Sequence, residues 1–591
     1  MDGNELLEKA YKKFKSEIYF DKTRPIAKMR IVEFEADGIT EQLAELSSAL
    51  EGDDDVWEAC EKRLLNSIQV RPYPKKIAEQ TEEEPEKNEK PEEVPDQYGE
   101  PKDIDQNDKL ADSSRKERRE KNHLIVNSFK GNPKILEERH FIDMDVEGFV
   151  LGMLWVLKIG IHLDEKIGDC SYGNRTRRNC RDNPGEALTF SPYIFEPYFA
   201  QFERWRDEGL DIAEHVLEKD KKDVFIITLD FKAFYYSVNY SQEEFDGLLN
   251  DAGLENSDQL KRLNDFAFHV IERYSSFLVK QNGEPIGNVL PIGFPPSGIL
   301  ANWCMSIFDN KVNELVNPLY YGRYVDDILI IDKVEKHTLL AELEQSGTLE
   351  VENVIDHILS RHYDQGIDAP GEDDNSKSPK HQSLLTRVDD EQNAMGSSST
   401  ESKSTWLVSS QYLRAKASPI RIQNAKAKVF LFKHDAPIAL IKQFREKIAK
   451  NSSEFRLMPD INGLDLKKNY SVIFDLENSE TDNKLYGVKD IQLNAFELSK
   501  FLGKYQRIGS ILNDKQKKTF NKDLTELFDD KTILQFYTTW EKLLEIIVCA
   551  EDFEILATFL NRTIRSILKF EYALDNDVCT LNQNIVRNNP E

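Results

Sequence analysis

The hydrophobic pattern along the chain is clearest in two short stretches that predict neighbouring strands of one buried sheet. Phe225–Leu229 is a mainly apolar run that ends at Asp230. The second run, Ile328–Ile331, directly follows Asp326 and Asp327. Apolar runs of this length with polar ends predict buried strands. Because the residues before Asp326 are also strand-like, the aspartate pair is predicted to lie in the tight turn of a hairpin.

The chain outside these runs divides by composition into four regions. Residues 1–75 show helical periodicity and predict a helical N-terminal region. Residues 76–114 are rich in Glu, Pro, Lys, Asn and Asp, which bury too little apolar surface to fold, so they predict an acidic disordered linker. Residues 115–440 hold the strands, with a polar insertion at about 365–404, and residues 441–591 return to apolar helical faces, of which the clearest includes Phe536, Trp540, Leu543 and Ile547.

Composition narrows the class of protein without naming a function. The 591 residues carry a formal net charge of −28, which argues against nonspecific adhesion of the whole molecule to DNA, although a local basic groove is compatible with it. Six cysteines without Cys-x-x-Cys spacing predict reduced thiols. We see no signal peptide and no apolar run of membrane-spanning length, so we expect a cytoplasmic protein without a membrane partner.

The two predicted strands bring three carboxylates to one edge of the sheet. Asp230 ends the first strand, and Asp326 and Asp327 tip the hairpin that precedes the second. Carboxylate oxygens are the ligands that hard divalent cations prefer. Two cations held in this way clamp the attacking and leaving oxygens of a phosphoryl transfer. The plainer alternative is a solvated turn that happens to be rich in aspartate.

Three motifs in this region resemble the palm of reverse transcriptases. They are Tyr-Val-Asp-Asp at Tyr324–Asp327, Leu-Asp-x-x-x-x-Tyr-x-Ser-Val at Leu229–Val238, and Leu-Pro-Ile-Gly-Phe-Pro-Pro-Ser-Gly at Leu290–Gly298. They occur in the order of that family, and the resemblance extends over roughly residues 123–440. The chain is most similar to the bacterial defence-associated reverse transcriptases of the abortive-infection and unknown groups, and less firmly to the class that pairs two reverse transcriptases with a noncoding RNA.

The resemblance implies an α+β fold of the right-hand polymerase type. Fingers and palm would lie within 115–440, and the thumb and a helical C-terminal domain within 441–591, with a helical N-terminal extension. It also implies two Mg²⁺ ions bound by Asp230, Asp326 and Asp327 and by the backbone carbonyl of Phe231, with the three aspartates as catalytic residues.

The resemblance further implies four nucleotide-binding residues. Arg175, in the loop Tyr-Gly-Asn-Arg, would contact the substrate phosphates. Tyr235 would lie under the sugar and exclude a 2′-hydroxyl, whereas by its sequence alone it is equally a sheet-packing aromatic. Ser297 belongs to the third motif, and Lys426 would lie near the departing pyrophosphate, unless it is simply an exposed strand lysine. The third motif carries Ile292 where family members usually have Gln, which removes a hydrogen-bonding group near the nucleotide.

These expectations favour one function over two alternatives. The first is a DNA polymerase that uses dNTPs, makes a DNA product and serves in anti-phage defence, with synthesis that is templated, guided by a noncoding RNA or independent of a template. Its expected partners are a noncoding RNA and a second reverse transcriptase subunit or a further copy of the chain. The alternatives are an inactive polymerase-like scaffold that binds RNA or a partner protein, and a polymerase or transferase of ribonucleotides, which Tyr235 would disfavour.

Overall fold

The computed structural model describes the greater part of the chain and divides it into two compact units. The described residues are 3–21, 24–78, 134–182, 193–280, 283–334, 351–359, 383–389, 404–435, 474–478, 488–493, 498, 502–503, 517, 528, 533, 536–549, 553–568, 571–572 and 580–581. One unit comprises residues 1–73, 139–453 and 576–591, and the other comprises residues 74–138 and 454–575. The domain boundaries predicted from composition stay predictions.

Helices and strands are mixed along both units, as expected for an α+β protein. The strands are β1 Gln69–Ala78, β2 Lys134–Asp143, β3 Val224–Asp230, β4 Leu278–Val279, β5 Tyr320–Tyr324, β6 Asp327–Lys333, β7 Leu385–Asp389, β8 Ser404–Val408, β9 Lys428–Phe432, β10 Phe474–Asn478, β11 Val488–Leu493, β12 Glu571–Tyr572 and β13 Thr580–Leu581. The α-helices are Gly3–Phe20, Pro25–Ala36, Ile39–Glu51, Asp54–Asn66, Val146–Trp155, Ile161–Glu165, Arg178–Asp182, Tyr198–His215, Phe234–Ser237, Gln242–Asp246, Leu248–Ala252, Asp258–Ser276, Ser297–Lys311, Val351–Leu359, Trp540–Cys549 and Phe553–Ile567.

The predicted strands form the centre of a four-stranded antiparallel sheet in the order β5-β6-β3-β9. Strand β3 lies between β6 and β9, and its register pairs Asp230 with Asp327. The hairpin β5–β6 pairs Tyr324 with Asp327, so its two-residue turn consists of Val325 and Asp326. The predicted hairpin is therefore confirmed, and the sheet edge carries the aspartates.

The sheet is buried on both faces, which explains why its central strands are apolar without interruption. Ile227 and Ile330 belong to the main core of this unit. Ile226 and Ile331, their neighbours along the strands, point to the opposite face because side chains alternate along a strand. Helix Tyr198–His215 covers that second face with Trp205 and Leu210, among others. The sheet edge therefore projects from a dry, close-packed support.

The N-terminal region is helical, as the periodicity predicts, and joins the main core. Four helices within residues 3–66 contribute buried apolar side chains that include Phe14 and Leu43. Phe14 stacks on Phe149 at 5.0 Å between ring centroids. The stretch Val146–Glu165 is, by length and composition, one helix apolar enough to cross a membrane, which differs from the expectation that no such run exists. Of its most apolar window, 83% is buried inside the protein, which is also typical of a core helix.

Two segments expected to be irregular contain strands. The predicted polar insertion at about 365–404 includes β7, which pairs with β8 from Leu385 opposite Val408 to Asp389 opposite Ser404. Leu384 and Leu385 are buried, so this part of the segment packs rather than extending into solvent. Strand β1 likewise runs to Ala78, into the first residues of the predicted acidic linker. The rest of both segments lies outside the described residues.

The second unit has its own small core. Its described residues include the antiparallel pair β10–β11 and two helices, Trp540–Cys549 and Phe553–Ile567. Trp540 packs edge-on against Phe559, with ring centroids 6.2 Å apart. Phe536, Leu543 and Ile547 are buried as the helical pattern predicts, and the helix itself begins at Trp540. Most of the predicted thumb lies outside the described residues.

Candidate active site

The three predicted catalytic aspartates lie at the same edge of the sheet. Asp230 and Asp327 are cross-strand partners, so their side chains leave the same face of the sheet next to each other. Asp326 occupies the turn, and its backbone carbonyl accepts a hydrogen bond from the Phe231 N–H at 3.0 Å. That bond ties the tip of the hairpin to the end of β3. The register of one sheet therefore brings together residues almost a hundred positions apart in the chain.

Crowded negative charge dominates the electrostatics of this edge. Burial, together with the charges of Asp326 and Asp230, raises the pKa of Asp327 to about 7. Burial also raises the pKa of Asp326, with a further contribution from Asp230. Like charges held together in a partly desolvated place favour the protonated acids. The site therefore holds more negative charge than its surroundings compensate.

The donor set fits a hard divalent cation in its chemistry. Three carboxylates supply oxygen ligands, and a cation would neutralise the charge that raises the pKa of Asp326 and Asp327. No group of three or more His, Cys, Asp or Glu side chains converges as a finished ligand set anywhere in the described ranges. Metal binding at this edge would therefore need movement of at least one of these side chains.

Lys426 lies on Asp230. Its ammonium group contacts both carboxylate oxygens, at 3.2 Å to Oδ1 and 3.1 Å to Oδ2. Lys426 ends the short turn Asn424–Lys426 just before β9, and the Gln423 N–H donates to the Asp230 carbonyl at 2.7 Å. Lys426 is therefore an internal positive charge in contact with Asp230. Its predicted position near the departing pyrophosphate stays a prediction.

Arg323 is the buried support of the hairpin. Its guanidinium is fully buried, and all five of its N–H groups have acceptors. The Nε and Nη2 groups donate to Asp309 at 2.9 and 2.7 Å, and one Nη1 hydrogen bond reaches Asn302 at 3.0 Å. The remaining two reach Ser171 Oγ and the carbonyl of Val325. Burial lowers the pKa of the Arg323 guanidinium, but the charge of Asp309 and the hydrogen bonds to it, with smaller contributions from Tyr321 and Cys170, together outweigh burial and raise that pKa.

The bond from Arg323 to Val325 holds an unusual backbone conformation. Val325 has φ of 58°, in the left-handed region that β-branched residues rarely adopt. Such a conformation costs of the order of 1–3 kcal/mol and persists only where its surroundings impose it. The hydrogen bond of 2.8 Å from Arg323 Nη1 to the Val325 carbonyl is one of these constraints. The turn that presents Asp326 is therefore held by a buried charge.

Arg175 is a structural residue, which corrects its predicted contact with substrate phosphates. Its side chain is 4% exposed. Nε donates to the Asp164 carboxylate at 2.6 Å, and Nη1 and Nη2 donate to four backbone carbonyls between residues 164 and 171. A guanidinium has five N–H donors, so Arg175 has none left for a phosphate. It fixes the loop 171–175 instead.

Ser297 uses its hydroxyl proton within the protein, and its predicted role in nucleotide binding stays a prediction. It is buried, and its hydroxyl donates to the Pro291 carbonyl at 2.8 Å, closing the turn before helix Ser297–Lys311. Ile292, at the position where the family usually has Gln, accepts a backbone hydrogen bond from Ile142 at 3.0 Å.

Tyr235 lies beside the aspartates, where the nucleotide sugar was expected. Burial raises the pKa of its hydroxyl, and the charge of Asp326 adds to that effect, which places the two side chains within electrostatic range. Asn174 Nδ2 donates to the Tyr235 hydroxyl at 2.9 Å. Phe234 packs edge-on against the ring at 6.2 Å between centroids. The geometry of Tyr235 is compatible with an aromatic floor next to the metal site.

The structure shows the position of Phe231 but not the predicted contact of its carbonyl with a metal ion. Phe231 is buried at the end of β3 and forms an isolated bridge with Ile422. Its N–H is engaged with Asp326, which orients the peptide at the edge of the site. A metal contact through its carbonyl stays a prediction.

Sequence patterns did not single out Arg323, Asp309, Asn302 or Asn174. A signal existed for Arg323, because a charged residue inside a strand predicted to be buried requires a buried partner. Asn174 follows Gly173, and this dipeptide is typical of backbone in the left-handed region, which Asn174 adopts with φ of 54°. Nothing along the chain pairs Asp309 or Asn302 with the hairpin.

The Arg323–Asp309 ion pair predicts a large and asymmetric effect of substitution on stability. Arg323→Met leaves the Asp309 charge buried without its partner, and we expect the free energy of unfolding to fall by about 3–5 kcal/mol. Adding Asp309→Leu should restore part of that loss because it removes the stranded charge. Chemical denaturation measures both. Arg178→Met, at a surface ion pair, is the control and should cost less than about 1 kcal/mol. Equal losses at Arg323 and Arg178 would contradict the network.

The raised pKa of Asp327 predicts that the metal-free protein loses stability as the pH rises. The folded protein holds the Asp327 proton up to about pH 7, whereas the unfolded chain releases it near the ordinary aspartate pKa of 3.8. Stability therefore falls with increasing pH between these values, since the folded state binds more protons. We expect the Tm in EDTA to decrease from pH 5 to pH 7.5, and to decrease less in Asp327→Asn. Identical pH profiles of the two proteins would contradict the charge repulsion.

Comparison with known proteins agrees with this arrangement. Residues 155–361 match the family model described as "Reverse transcriptase (RNA-dependent DNA polymerase)". A stretch of 120 residues is 24% identical to the retron Ec73 reverse transcriptase of Escherichia coli, covering 20% of this chain and 34% of that relative. The chain thus spans about a third of the length of the curated relative that it matches. The region that contains Asp230, Asp326 and Asp327 is therefore similar to the reverse transcriptase family.

Proposed function

We propose that the chain is a reverse transcriptase-like DNA polymerase that joins deoxynucleotides at Asp230, Asp326 and Asp327. The observation that carries the proposal is the register of the sheet, which sets Asp230 opposite Asp327 with Asp326 in the adjoining turn. Carboxylates gathered on a rigid edge suit two Mg²⁺ ions. When bound, these ions would favour ionisation of the attacking hydroxyl and neutralise charge on the leaving pyrophosphate.

The protein residues have separate tasks in this proposal. Asp230 and the Asp326–Asp327 pair would hold the two cations beside the reacting phosphate. Tyr235 borders the sugar and disfavours a 2′-hydroxyl by lack of space. Lys426 donates a hydrogen bond or a proton to the pyrophosphate as it leaves. Arg323 acts only through the hairpin, because its N–H groups are all engaged with protein acceptors.

The proposed biological role is based on the similarity to one retron reverse transcriptase. Similarity to a retron reverse transcriptase supports a place among bacterial defence-associated reverse transcriptases. We extend this to a noncoding RNA as partner and to action against phage. A cytoplasmic location and an association with a second reverse transcriptase subunit or a further copy of the chain belong to the same proposal.

The alternative of an inactive scaffold has one observation in its favour. Lys426 already forms an ion pair with Asp230, so an internal ammonium group supplies positive charge at the carboxylate that a metal would use. A scaffold would keep this pair intact, whereas an enzyme would have to open it. The metal dependence of activity therefore separates the two.

The first test is incorporation of labelled dNTPs by the purified protein with Mg²⁺ and with its co-purified nucleic acid retained. We expect Asp326→Asn to reduce incorporation by on the order of a thousandfold, because it removes a metal-binding charge without changing shape. Asp182→Asn, at an exposed position on the helix Arg178–Asp182, is the matched control and should keep full activity. Activity that persists in Asp326→Asn would overturn the site, and no activity in either protein would favour the scaffold.

A second test uses the ion pair between Lys426 and Asp230. Lys426→Met removes the internal competitor for Asp230, so the Mg²⁺ concentration that gives half-maximal activity should decrease. The turnover rate at saturating Mg²⁺ should fall about a hundredfold, because the departing pyrophosphate loses its proton donor.

Lys428→Met is the control for this test, since Lys428 is exposed two residues further along and belongs to β9. It should leave both quantities unchanged. A Lys426→Met variant with the Mg²⁺ requirement and turnover of the unmodified protein would show that the ion pair is irrelevant to catalysis.

A further inference from the structure

The loop 171–175 is bound tightly to the back of the candidate active site. The Arg323 N–H donates to the Cys170 carbonyl at 2.7 Å, and the Tyr172 N–H donates to the Arg323 carbonyl at 2.8 Å, so the loop extends the sheet beside β5. Asn302 Nδ2 donates to the Gly173 carbonyl at 2.7 Å. Together with the five hydrogen bonds of Arg175, these contacts leave the loop little freedom.

Two glycines allow the loop to approach the hairpin and helix Ser297–Lys311. A Cβ at Gly173 would lie 2.5 Å from Val325 Cγ2, in the turn that presents Asp326. A Cβ at Gly298 would lie 3.0 Å from the Cβ of Asn174. Side chains at either glycine would push the loop away. The close approach therefore places Asn174 over the start of the helix and next to the metal site.

Asn174 is adapted in two respects to the position it occupies. Its φ of 54° lies in the left-handed region, which asparagine tolerates better than most residues other than glycine. Its side chain is exposed toward the site, and Nδ2 donates to the Tyr235 hydroxyl at 2.9 Å. The ring of Tyr235 is thus held by an amide at its tip and by Phe234 at its side.

We propose that Asn174 is a positioning residue for sugar discrimination, which holds the Tyr235 ring in the orientation that excludes a 2′-hydroxyl. The inference deepens the proposed function and rests on it. An aromatic ring discriminates by occupying space, so any rotation of the ring opens room for the extra oxygen. A tyrosine side chain turns about two torsion angles, and the hydroxyl lies on the axis of the second. The Asn174 amide therefore restricts the first torsion, which decides where the ring lies, and Phe234 packs against the side of the ring. Because the loop 171–175 is bonded to β5 and Asn174 is bonded to Tyr235, the position of β5 also determines the position of the Tyr235 ring.

This role differs from the phosphate contact expected for the same loop. Arg175 anchors the loop from within and contacts no substrate, whereas Asn174, the residue before it, faces the site. The discriminating unit is therefore Tyr235 together with Asn174, supplied by segments about sixty residues apart in the chain. Its substrate class is the deoxynucleoside triphosphates.

The test compares the ratio of kcat/KM for dATP over ATP in four proteins: unmodified, Asn174→Gly, Tyr235→Phe and the double variant. Glycine accepts the backbone conformation of Asn174, so only the amide is lost. We expect Asn174→Gly to lower the ratio about fivefold, the effect of one hydrogen bond. Tyr235→Phe should lower it similarly, and the double variant should fall no further, because both changes remove the same bond.

Two controls sharpen the result. Asn179→Gly makes the same substitution at an exposed position on the next short helix and should leave the ratio unchanged. Asn174→Asp replaces the amide donor by a carboxylate that can accept from the Tyr235 hydroxyl, and it should restore most of the discrimination. An unchanged ratio in Asn174→Gly would overturn the inference, as would additive losses in the double variant, since the effect would then not pass through the hydroxyl.

Failure of the proposed function is recognisable separately. If the unmodified protein incorporates neither dATP nor ATP, the polymerase assignment fails. Equilibrium binding of the two nucleotides with Ca²⁺, measured by calorimetry, would then decide the role of Asn174 by the same ratio. Equal ratios for the unmodified protein and Asn174→Gly in that measurement would overturn the positioning role as well.

Discussion

The buried ion pair between Arg323 and Asp309 is the interaction on which the candidate site depends. A charged pair without access to water is stable only when every donor and acceptor is satisfied, and the Arg323 guanidinium meets that condition with five hydrogen bonds. Its acceptors belong to three separate parts of the fold: helix Ser297–Lys311, the loop 171–175 and the hairpin turn. One side chain thus locks together the elements that surround the aspartates, and the strained backbone of Val325 is held as a result.

The rigid sheet allows three negatively charged side chains to be held close together at its edge. Asp230, Asp326 and Asp327 repel one another, and a flexible edge would let them separate into solvent. The sheet prevents this because both of its faces are covered by apolar side chains. Lys426 relieves part of the repulsion by contacting Asp230. The negative charge that Lys426 does not neutralise makes this edge suitable for a divalent cation. It also makes the protonation of Asp326 and Asp327 depend on pH.

The loop 171–175 shows how a chemically reasonable expectation from residue type differs from the role that the structure gives. An arginine beside Tyr and Gly is typical of phosphate recognition, since a guanidinium matches phosphate oxygens. The same five donors match backbone carbonyls equally well, and Arg175 finds its partners within the protein. Ser297 follows the same logic. The sequence shows which side chains can donate hydrogen bonds. Which acceptors they find depends on the carbonyl groups that the fold brings close to them.

The local elements could be predicted from the amino-acid sequence: the buried strands β3 and β6, the hairpin that carries Asp326 and Asp327, and the N-terminal helices. These follow from hydrophobic periodicity and short-range turn chemistry, which act between residues close in the chain. Tertiary structure alone decided that Asp309 neutralises Arg323, that Lys426 lies on Asp230 and that Asn174 meets Tyr235. Each of these contacts joins residues distant in sequence, and its energy depends on burial and on a distance of a few ångströms. Neither quantity exists until the chain has packed.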